Sequence, residues 1–264
     1  MGIDLCPKTK IPVLQPVATE FFSRIKKVDE IRIGIVGGGY MGKAHAVAYA
    51  AVGGLFDTAL RPVLEMVCAT SDASAERYRK SFGFNRATSD WQALVNDENV
   101  DAVIIASPQG THREIAEAAF ALGKPVFCEK PLGASLEDSR AMLAAAEGSG
   151  CVHMVGFNYI RTPASQYARQ LVAEGRIGDV TWFRGEHTED FLADSQLPAN
   201  WRTDGDANGT MGDLAPHMIN AARALIGPIT SLIANVETVH HTRPGGTVTN
   251  DDQAQMMCRF ENGA

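Results

Sequence analysis

From Ile31 to about residue 155, two kinds of segment alternate along the chain. Short runs rich in Val and Ile are separated by longer stretches in which apolar residues recur every three or four positions. The short runs predict buried strands and the longer stretches predict amphipathic helices, because that spacing places side chains on one helical face. Regular alternation of the two is typical of parallel βαβ units. We expect about six strands, including the apolar runs 31–37, 63–69, 101–107, 125–130 and 151–157.

The helices between these strands carry start and stop signals. Thr111 followed three residues later by Glu114 is typical of a capping box, and Gly123 is expected to end that helix. A second capped helix is expected over residues 135–150. Strands and helices in this order predict a doubly wound parallel sheet of the Rossmann type over residues 31–155, preceded by an N-terminal extension over residues 1–30.

The pattern changes after about residue 155. A helix over 162–175 is followed by residues 179–190, whose polar and apolar positions alternate as in a strand with one solvated face. The residues from Asp190 to Gly212 have no regular pattern. They precede a helix in which Pro216 occupies the first turn and Gly227 marks the end.

Two more strand-like segments, 229–241 and 252–264, complete the chain. The second half therefore predicts an α+β domain over residues 156–264 with a largely antiparallel, open sheet. Because the chain stops directly after a strand with no partner strand to follow, we expect the natural protein to continue beyond Ala264.

Composition and charge exclude several kinds of partner. The 264 residues are 45% hydrophobic, with a formal net charge of -7, which gives no basic surface for nucleic acid or anionic membranes. Five scattered cysteines form no C-x-x-C pair, as expected in a reducing compartment. No signal peptide and no apolar run near the roughly 18 residues of a spanning helix occurs. We therefore expect a cytoplasmic protein that binds small molecules.

Three glycines mark the turn between the first predicted strand and helix. Gly37, Gly39 and Gly42, with Tyr40 and Met41 between them, form the pattern G-x-G-x-x-G. In this context the first glycine permits a tight turn, the second lets a pyrophosphate approach the backbone, and the third allows close packing of the helix. The motif predicts a dinucleotide site, and the alternative is a strand-to-helix turn without a ligand.

The end of the second predicted strand bears on the choice between NAD and NADP. A carboxylate here would bind the ribose 2′-hydroxyl, and the nearest one, Asp72, lies about 30 positions beyond the last glycine of the motif. Asp72 could instead cap the next helix. In that case Thr70 or Ser71, with Arg77 or Arg79, would make room for a 2′-phosphate. The sequence slightly favours NAD.

Polar residues also collect where later strands end, and the carboxyl ends of parallel strands form the ligand-binding edge of such sheets. A further pair, Asp213 and His217, lies four residues apart at the start of a late helix, so both side chains could face this edge. His112 is expected to be a structural or cofactor-flanking group. The residues expected at this edge for cofactor binding are Ser107, Pro108, Gln109, His112, Glu129 and Lys130.

Together these motifs resemble the glucose-fructose oxidoreductase and inositol dehydrogenase family, called Gfo/Idh/MocA, from Ile31 to the end of the chain. The resemblance implies a nicotinamide cofactor, a lysine from E-K-P at Lys130, and an aspartate and a histidine from D-x-G-x-H at Asp213 and His217. Ala215 and Asn220 depart from the family, which often has glycine and aspartate there. The resemblance also implies a homo-oligomer, either a dimer or a tetramer.

The three residues suit oxidation of a secondary alcohol. His217 could take the hydroxyl proton at neutral pH. Lys130 could stabilise the developing alkoxide and oppose protonation of His217, and Asp213 could orient the substrate or the imidazole. Each residue also has a structural alternative: Lys130 as a solvated lysine, Asp213 as a helix cap, and His217 as a packed histidine.

The expected substrate is a cyclic polyol, sugar or glycoside. The stretches that contain Asn158 and the pair Trp201 and Arg202 resemble a branch of the family acting on glucosides and disaccharides, so these three residues are predicted to contact substrate. Two alternatives remain, a glycosidase that uses NAD transiently and a non-catalytic dinucleotide sensor. No metal site is expected, because the adjacent His240 and His241 would face opposite sides of a strand.

Overall fold

A six-stranded parallel sheet forms the first half of the protein. The computed structural model describes residues 29–200, 202–203, 205 and 209–264. The strand order is β3-β2-β1-β4-β5-β6, the order of the dinucleotide-binding doubly wound fold, so the predicted fold class is confirmed. Only the three-residue β3 was not recognisable as an apolar run. The strands are β1 (Asp29–Val36), β2 (Leu60–Cys68), β3 (Arg86–Thr88), β4 (Ala102–Ile105), β5 (Val126–Cys128) and β6 (His153–Val155).

Helices cover both faces of this sheet and bury its central strands. Ile35 in β1, together with Val103 and Ile105 in β4, has no exposed surface, which explains why these strands are continuous apolar runs. The helices are α1 (Tyr40–Leu55), α2 (Asp72–Phe82), α3 (Trp91–Asn96), α4 (His112–Ala121) and α5 (Leu136–Ser149), with a 3₁₀ turn at Gln109–Thr111.

One of the two helix caps predicted from the sequence is wrong. The Ser135 hydroxyl accepts a hydrogen bond from the amide of Asp138 and caps α5 as expected. Thr111 makes no such bond at the start of α4. Its hydroxyl lies 2.9 Å from the Pro108 carbonyl oxygen, because the preceding 3₁₀ turn already brings that oxygen within reach of the side chain.

The second half contains short helices and two small antiparallel sheets of two strands each. β7 pairs with β10, and β8 with β9. No helix in the described ranges is both long and apolar enough to cross a membrane. The elements are a 3₁₀ turn (Tyr159–Arg161), α6 (Pro163–Ala173), α7 (Thr210–Asp213), α8 (Ala215–Leu225), β7 (Ile229–Glu237), β8 (Thr242–Arg243), β9 (Gly246–Thr247) and β10 (Gln253–Phe260).

The strand predicted over residues 179–190 is absent from the described structure, so that prediction is wrong. This backbone runs without regular structure, and Trp182 is 80% exposed. The alternation indicates which face a strand would bury, but a strand also needs a neighbouring backbone to pair its polar groups. The main-chain oxygen of Val180 instead receives a bond from the side-chain amide of Asn262 at 3.4 Å.

Candidate active site

The glycine turn joins β1 to α1 at the carboxyl edge of the sheet. Gly37 has φ +104°, and a side chain there would collide with the backbone of Ala106 and Ser107. A side chain at Gly42 would collide with the carbonyl oxygen of Gly37. Both positions therefore require glycine for packing.

Gly39 differs from these two glycines because its surroundings are open. Its φ is -69°, and a Cβ atom there would meet nothing within 4 Å. No side chain in the described structure caps α1, and no acidic residue lies in its first turn. Open space beside a helix N-terminus with uncapped amides suits a phosphate group, so these residues fit a dinucleotide pyrophosphate. Tyr40, which follows, is 87% exposed, and Met41 is half-buried.

At the end of β2, Ser71 and not Asp72 caps the next helix. The Ser71 hydroxyl accepts a hydrogen bond from the Ser74 amide, and Ser74 returns the contact in a capping box. Asp72 is the first helical residue, and its carboxylate accepts a bond from the Ser89 hydroxyl at 2.6 Å. The alternative that Asp72 is the cap is therefore wrong.

The two arginines considered for a 2′-phosphate are both in contact with side chains of their own helix. Arg79 bonds Glu76 at 2.7 Å and 2.9 Å. The Arg77 guanidinium lies over the Tyr78 ring, 5.0 Å from its centre. Tyr78 in turn packs against Gly38 of the glycine turn, so this pair borders the expected dinucleotide site.

His112 ties the loop after β4 to the loop after β5. The side chain is 1% exposed. Its Nε2 lies 2.8 Å from the Ser107 carbonyl oxygen. Its Nδ1 lies 3.1 Å from the carbonyl oxygens of Pro131 and Leu132. Both ring nitrogens therefore contact main chain, and the residue holds the Ser107–Gln109 segment against the loop that follows Lys130.

Glu129 is buried and faces α1. The residue is 5% exposed, and its Oε1 lies 2.7 Å from Nε2 of His45. Gly156 leaves room for this carboxylate, since a Cβ atom there would lie 3.0 Å from it. The contact links the helix after the glycine turn to the strand end that carries Lys130. Direct contact between Glu129 and the cofactor stays a prediction.

Lys130 pairs with Asp213 across the two halves of the protein. Its Nζ donates to Asp213 Oδ1 at 2.6 Å and to the Asp213 main-chain oxygen at 2.9 Å. The two side chains are only 16% and 22% exposed, so Lys130 is not a solvated surface lysine. Asp213 ends α7, and Leu214 occupies the cap position of α8, so the alternative that Asp213 caps the following helix is also wrong.

A distant residue fixes the helix that carries Asp213. Asp251 accepts hydrogen bonds from the first amides of α7, through its main-chain oxygen from Thr210 at 2.9 Å and through Oδ2 from Met211 at 2.7 Å. Gly209 allows this approach, because a side chain there would collide with Asp251. Asp251 thus acts as a cap supplied from outside the helix.

His217 is a buried, neutral imidazole beside this ion pair. Burial, helped by the charge of Lys130 and by an electrostatic contribution from His187, lowers its pKa from 6.5 to about 4, although Asp213 acts in the opposite direction. Its Nδ1 is buried and has no hydrogen-bond partner among the described residues. The Asp213 carboxylate bonds Lys130 and not this ring, so it orients the amine. A neutral ring can accept a proton at pH 7.

Aromatic rings form the wall next to His217. Tyr159 stacks on it with ring centres 4.2 Å apart, Phe157 approaches edge-on at 6.4 Å, and His187 lies at 5.8 Å. Sequence reasoning missed these three rings and also His45. A signal existed for His45, which follows Gly42 by three positions and so shares its helix face. No local pattern marks His187.

Of the three residues predicted to contact substrate, the structure brings one next to Asp213. Arg202 joins the site, with Nε 3.6 Å from Asp213 Oδ2 and its guanidinium 5.1 Å from the centre of the Phe191 ring. Asn158 is exposed and precedes the 3₁₀ turn of Tyr159. Trp201 lies outside the described residues.

Two profiles of one protein family match most of the chain. The Gfo/Idh/MocA profile described as an oxidoreductase family with an NAD-binding Rossmann fold matches residues 31–157. The profile of the Gfo/Idh/MocA C-terminal domain matches residues 165–264.

Individual relatives point the same way. Levoglucosan dehydrogenase of Pseudarthrobacter phenanthrenivorans is 38% identical over 258 residues, which cover 90% of this chain and 66% of that protein. Inositol 2-dehydrogenase of Rhizobium meliloti is 32% identical over 199 residues, 75% of this chain and 55% of that protein. A solved structure of levoglucosan dehydrogenase with NADH and levoglucosan superposes with a TM-score of 0.87 at 40% identity, over 89% of this chain and 65% of that one. The chain thus spans two thirds or less of the length of these relatives.

Proposed function

Because this chain belongs to the Gfo/Idh/MocA oxidoreductase family, we propose that it is an NAD(P)-dependent dehydrogenase that oxidises a secondary hydroxyl of a cyclic polyol, sugar or glycoside. The likeness to levoglucosan dehydrogenase favours a sugar or glycoside ring. Residues 31–155 form the dinucleotide-binding domain and residues 156–264 belong to the substrate domain. The working protein is a cytoplasmic dimer or tetramer.

The observation that carries this proposal is the buried group of Lys130, Asp213 and His217 at the edge of the sheet that holds the glycine turn. The Lys130–Asp213 bond of 2.6 Å fixes the amine, and burial keeps His217 neutral. An ammonium group and a neutral imidazole together are what an alcohol needs to lose a proton.

In the proposed reaction, each of the three residues has one task. His217 accepts the hydroxyl proton, and Lys130 donates a hydrogen bond to the same oxygen as its negative charge develops. Asp213 holds Lys130 in place. The nicotinamide ring, when bound, supplies the hydride acceptor. Arg202, which lies near Asp213, contacts other hydroxyls of the sugar in this proposal.

A panel of levoglucosan, inositols, glucose and glucosides, each with NAD and with NADP, tests the proposal by absorbance of the reduced nicotinamide. We expect turnover with at least one sugar. His217→Asn and Lys130→Met should each lower kcat by roughly 10²–10⁴, the usual contribution of a positioned proton-transfer group, while dinucleotide affinity changes little. The matched control is His241→Asn, which changes an exposed histidine elsewhere in the chain.

Two results would contradict the proposal. Dinucleotide binding without turnover of any sugar would favour a sensor. Release of free sugar from a glycoside without net cofactor reduction would identify a glycosidase.

A further inference from the structure

His187 lies beside the proposed base, on a segment for which the family resemblance predicted no role. Its ring centre is 5.8 Å from that of His217 and 5.9 Å from that of Tyr159. Tyr159 also stacks on His217 at 4.2 Å. The three rings therefore form one compact group, which we call the ring cluster (Tyr159, His187 and His217).

The hydrogen bonding of His187 leaves one ring nitrogen able to accept a proton. Nε2 lies 3.1 Å from Oε1 of Glu189. A carboxylate oxygen only accepts hydrogen bonds, so Nε2 carries the proton of the neutral ring and Nδ1 presents a lone pair. Nδ1 is buried and has no hydrogen-bond partner within the part of the chain that the structure describes. A basic nitrogen is thus available next to His217.

Exposure to solvent increases along this series of side chains. His217 is 6% exposed, the His187 side chain is 12% exposed and that of Glu189 is 41% exposed. Glu189 therefore reaches water, whereas His217 does not do so freely. Lys130 and Asp213 do not offer a comparable route, because they are bonded to each other.

Each oxidation of an alcohol releases one proton, and the protonated form of His217 is unfavourable. Its buried ring already faces the positive charge of Lys130, so the imidazolium form is energetically unfavourable. We propose that His187 takes this proton from His217 and passes it through Glu189 to solvent. The inference rests on the proposed dehydrogenase function and deepens the role of the same site.

The transfer conserves protons and electrons. The hydroxyl O–H bond breaks as an N–H bond forms on His217, while the electron pair leaves carbon as hydride. An N–H bond of His217 then breaks as Nδ1–H of His187 forms. His187 releases its Nε2 proton to the Glu189 carboxylate, which passes it to bulk water. Rotation of the His187 ring then restores the N–H group toward Glu189 and the lone pair toward His217 for the next turnover. Because the two imidazoles share no direct hydrogen bond, one water molecule bridges them or one ring turns slightly.

Stopped-flow measurements of the protein with NAD and levoglucosan test the proposal. Absorbance reports nicotinamide reduction, and a pH-indicator dye in weak buffer reports proton release. In the wild type, proton release should occur at the same rate as nicotinamide reduction. In His187→Asn, proton release and turnover should slow by about tenfold, less than the 10²–10⁴ expected on loss of the base itself, because His217 remains. Added free imidazole should restore the rate, because it can replace the missing proton acceptor.

Two further variants separate proton transfer from packing. Glu189→Gln keeps a hydrogen-bond acceptor but cannot take up the proton, so it should also slow proton release in weak buffer. His241→Asn should behave as wild type. The proposal would be overturned if His187→Asn released protons at the wild-type rate in weak buffer. It would also be overturned if added imidazole did not restore a slowed rate, because His187 would then have a structural role.

A measurement without turnover separates failure of this inference from failure of the proposed function. NMR titration of the imidazole protons should show that His187→Asn raises the pKa of His217, because the electrostatic interaction with His187 lowers it in the wild type. An unchanged titration would show that the two rings are not coupled and would overturn the relay, whether or not levoglucosan is a substrate. Coupled rings without turnover of any sugar would count against the dehydrogenase alone.

Discussion

His217 contributes to the pH dependence of folding as well as to the proposed chemistry. In the folded protein its pKa is about 4, compared with 6.5 for an ordinary histidine. Below pH 6.5 the unfolded chain therefore binds this proton more tightly than the folded one. The free energy of unfolding should fall as the pH drops from 6.5 to 4, by about 3 kcal/mol from this residue at about 1.4 kcal/mol per pKa unit.

Replacing the ring by a group that does not titrate should remove this effect. We expect the stability difference between wild type and His217→Asn to be larger at pH 7 than at pH 4.5, by about 2 kcal/mol. Urea unfolding of both proteins at the two pH values measures it, and the double difference cancels the other titrating groups. Parallel pH profiles for the two proteins would show that the ring titrates normally in the folded state.

Residues in fixed motifs were predictable from the sequence, and residues brought in by irregular backbone were not. Lys130 follows a buried strand, and Asp213 and His217 are four residues apart in the sequence, so the spacing alone indicated one edge of the sheet. His187 lies in a segment without regular structure. Its approach to His217 depends on the path of that segment, which no local pattern encodes.

At the scale of elements, apolar runs correctly predicted strands and glycines correctly predicted turns. Predictions that require a second segment as a partner were less accurate. Strand β4 and the second half of β1 are buried on both faces, so composition alone identifies them. The alternation over 179–190 required a partner strand, which the described chain does not offer. Thr111 and Ser135 carry similar capping signals, but the 3₁₀ turn before Thr111 redirects its hydroxyl to Pro108.

The turn between β1 and α1 gives a prediction that separates packing from binding. Gly42→Ala should lower the free energy of unfolding by about 1–3 kcal/mol, since its Cβ would meet the Gly37 carbonyl oxygen. Gly39→Ala should change stability by less than about 1 kcal/mol, because the space around it is open and its φ is ordinary. It should nevertheless weaken dinucleotide binding, because the new methyl group occupies the expected phosphate position.

Urea unfolding and a dinucleotide titration by fluorescence measure these two effects. Gly54→Ala is the matched control, because Gly54 lies in the same helix and a methyl group added there would meet nothing within 4 Å. This control should leave affinity unchanged. Equal affinity for dinucleotide in Gly39→Ala and Gly54→Ala would place the phosphates elsewhere.

At the scale of the whole molecule, the site exists only where the two halves meet. Lys130 comes from the end of β5, and Asp213 and His217 come from α7 and α8, more than 80 residues later in sequence. Asp251 holds α7 from just before β10. The sequence predicted both halves, but only the structure shows that the Lys130–Asp213 pair connects them, because such a long-range contact has no local signature.

Binding of the cofactor should therefore stabilise the whole protein, and the concentration at which each dinucleotide does so should distinguish NAD from NADP. A ligand at a hundred times its Kd adds about 2.7 kcal/mol to the free energy of unfolding. We expect NAD to reach this effect at a lower concentration than NADP, because Asp72 places a carboxylate at the end of β2 and Arg79 is already bonded to Glu76. Thermal unfolding over a concentration series of each dinucleotide measures this, with Gly39→Ala as the variant expected to shift both curves to higher concentration. Stabilisation by NADP at the lower concentration would instead assign Arg77, which lies beside the glycine turn on Tyr78, to a 2′-phosphate.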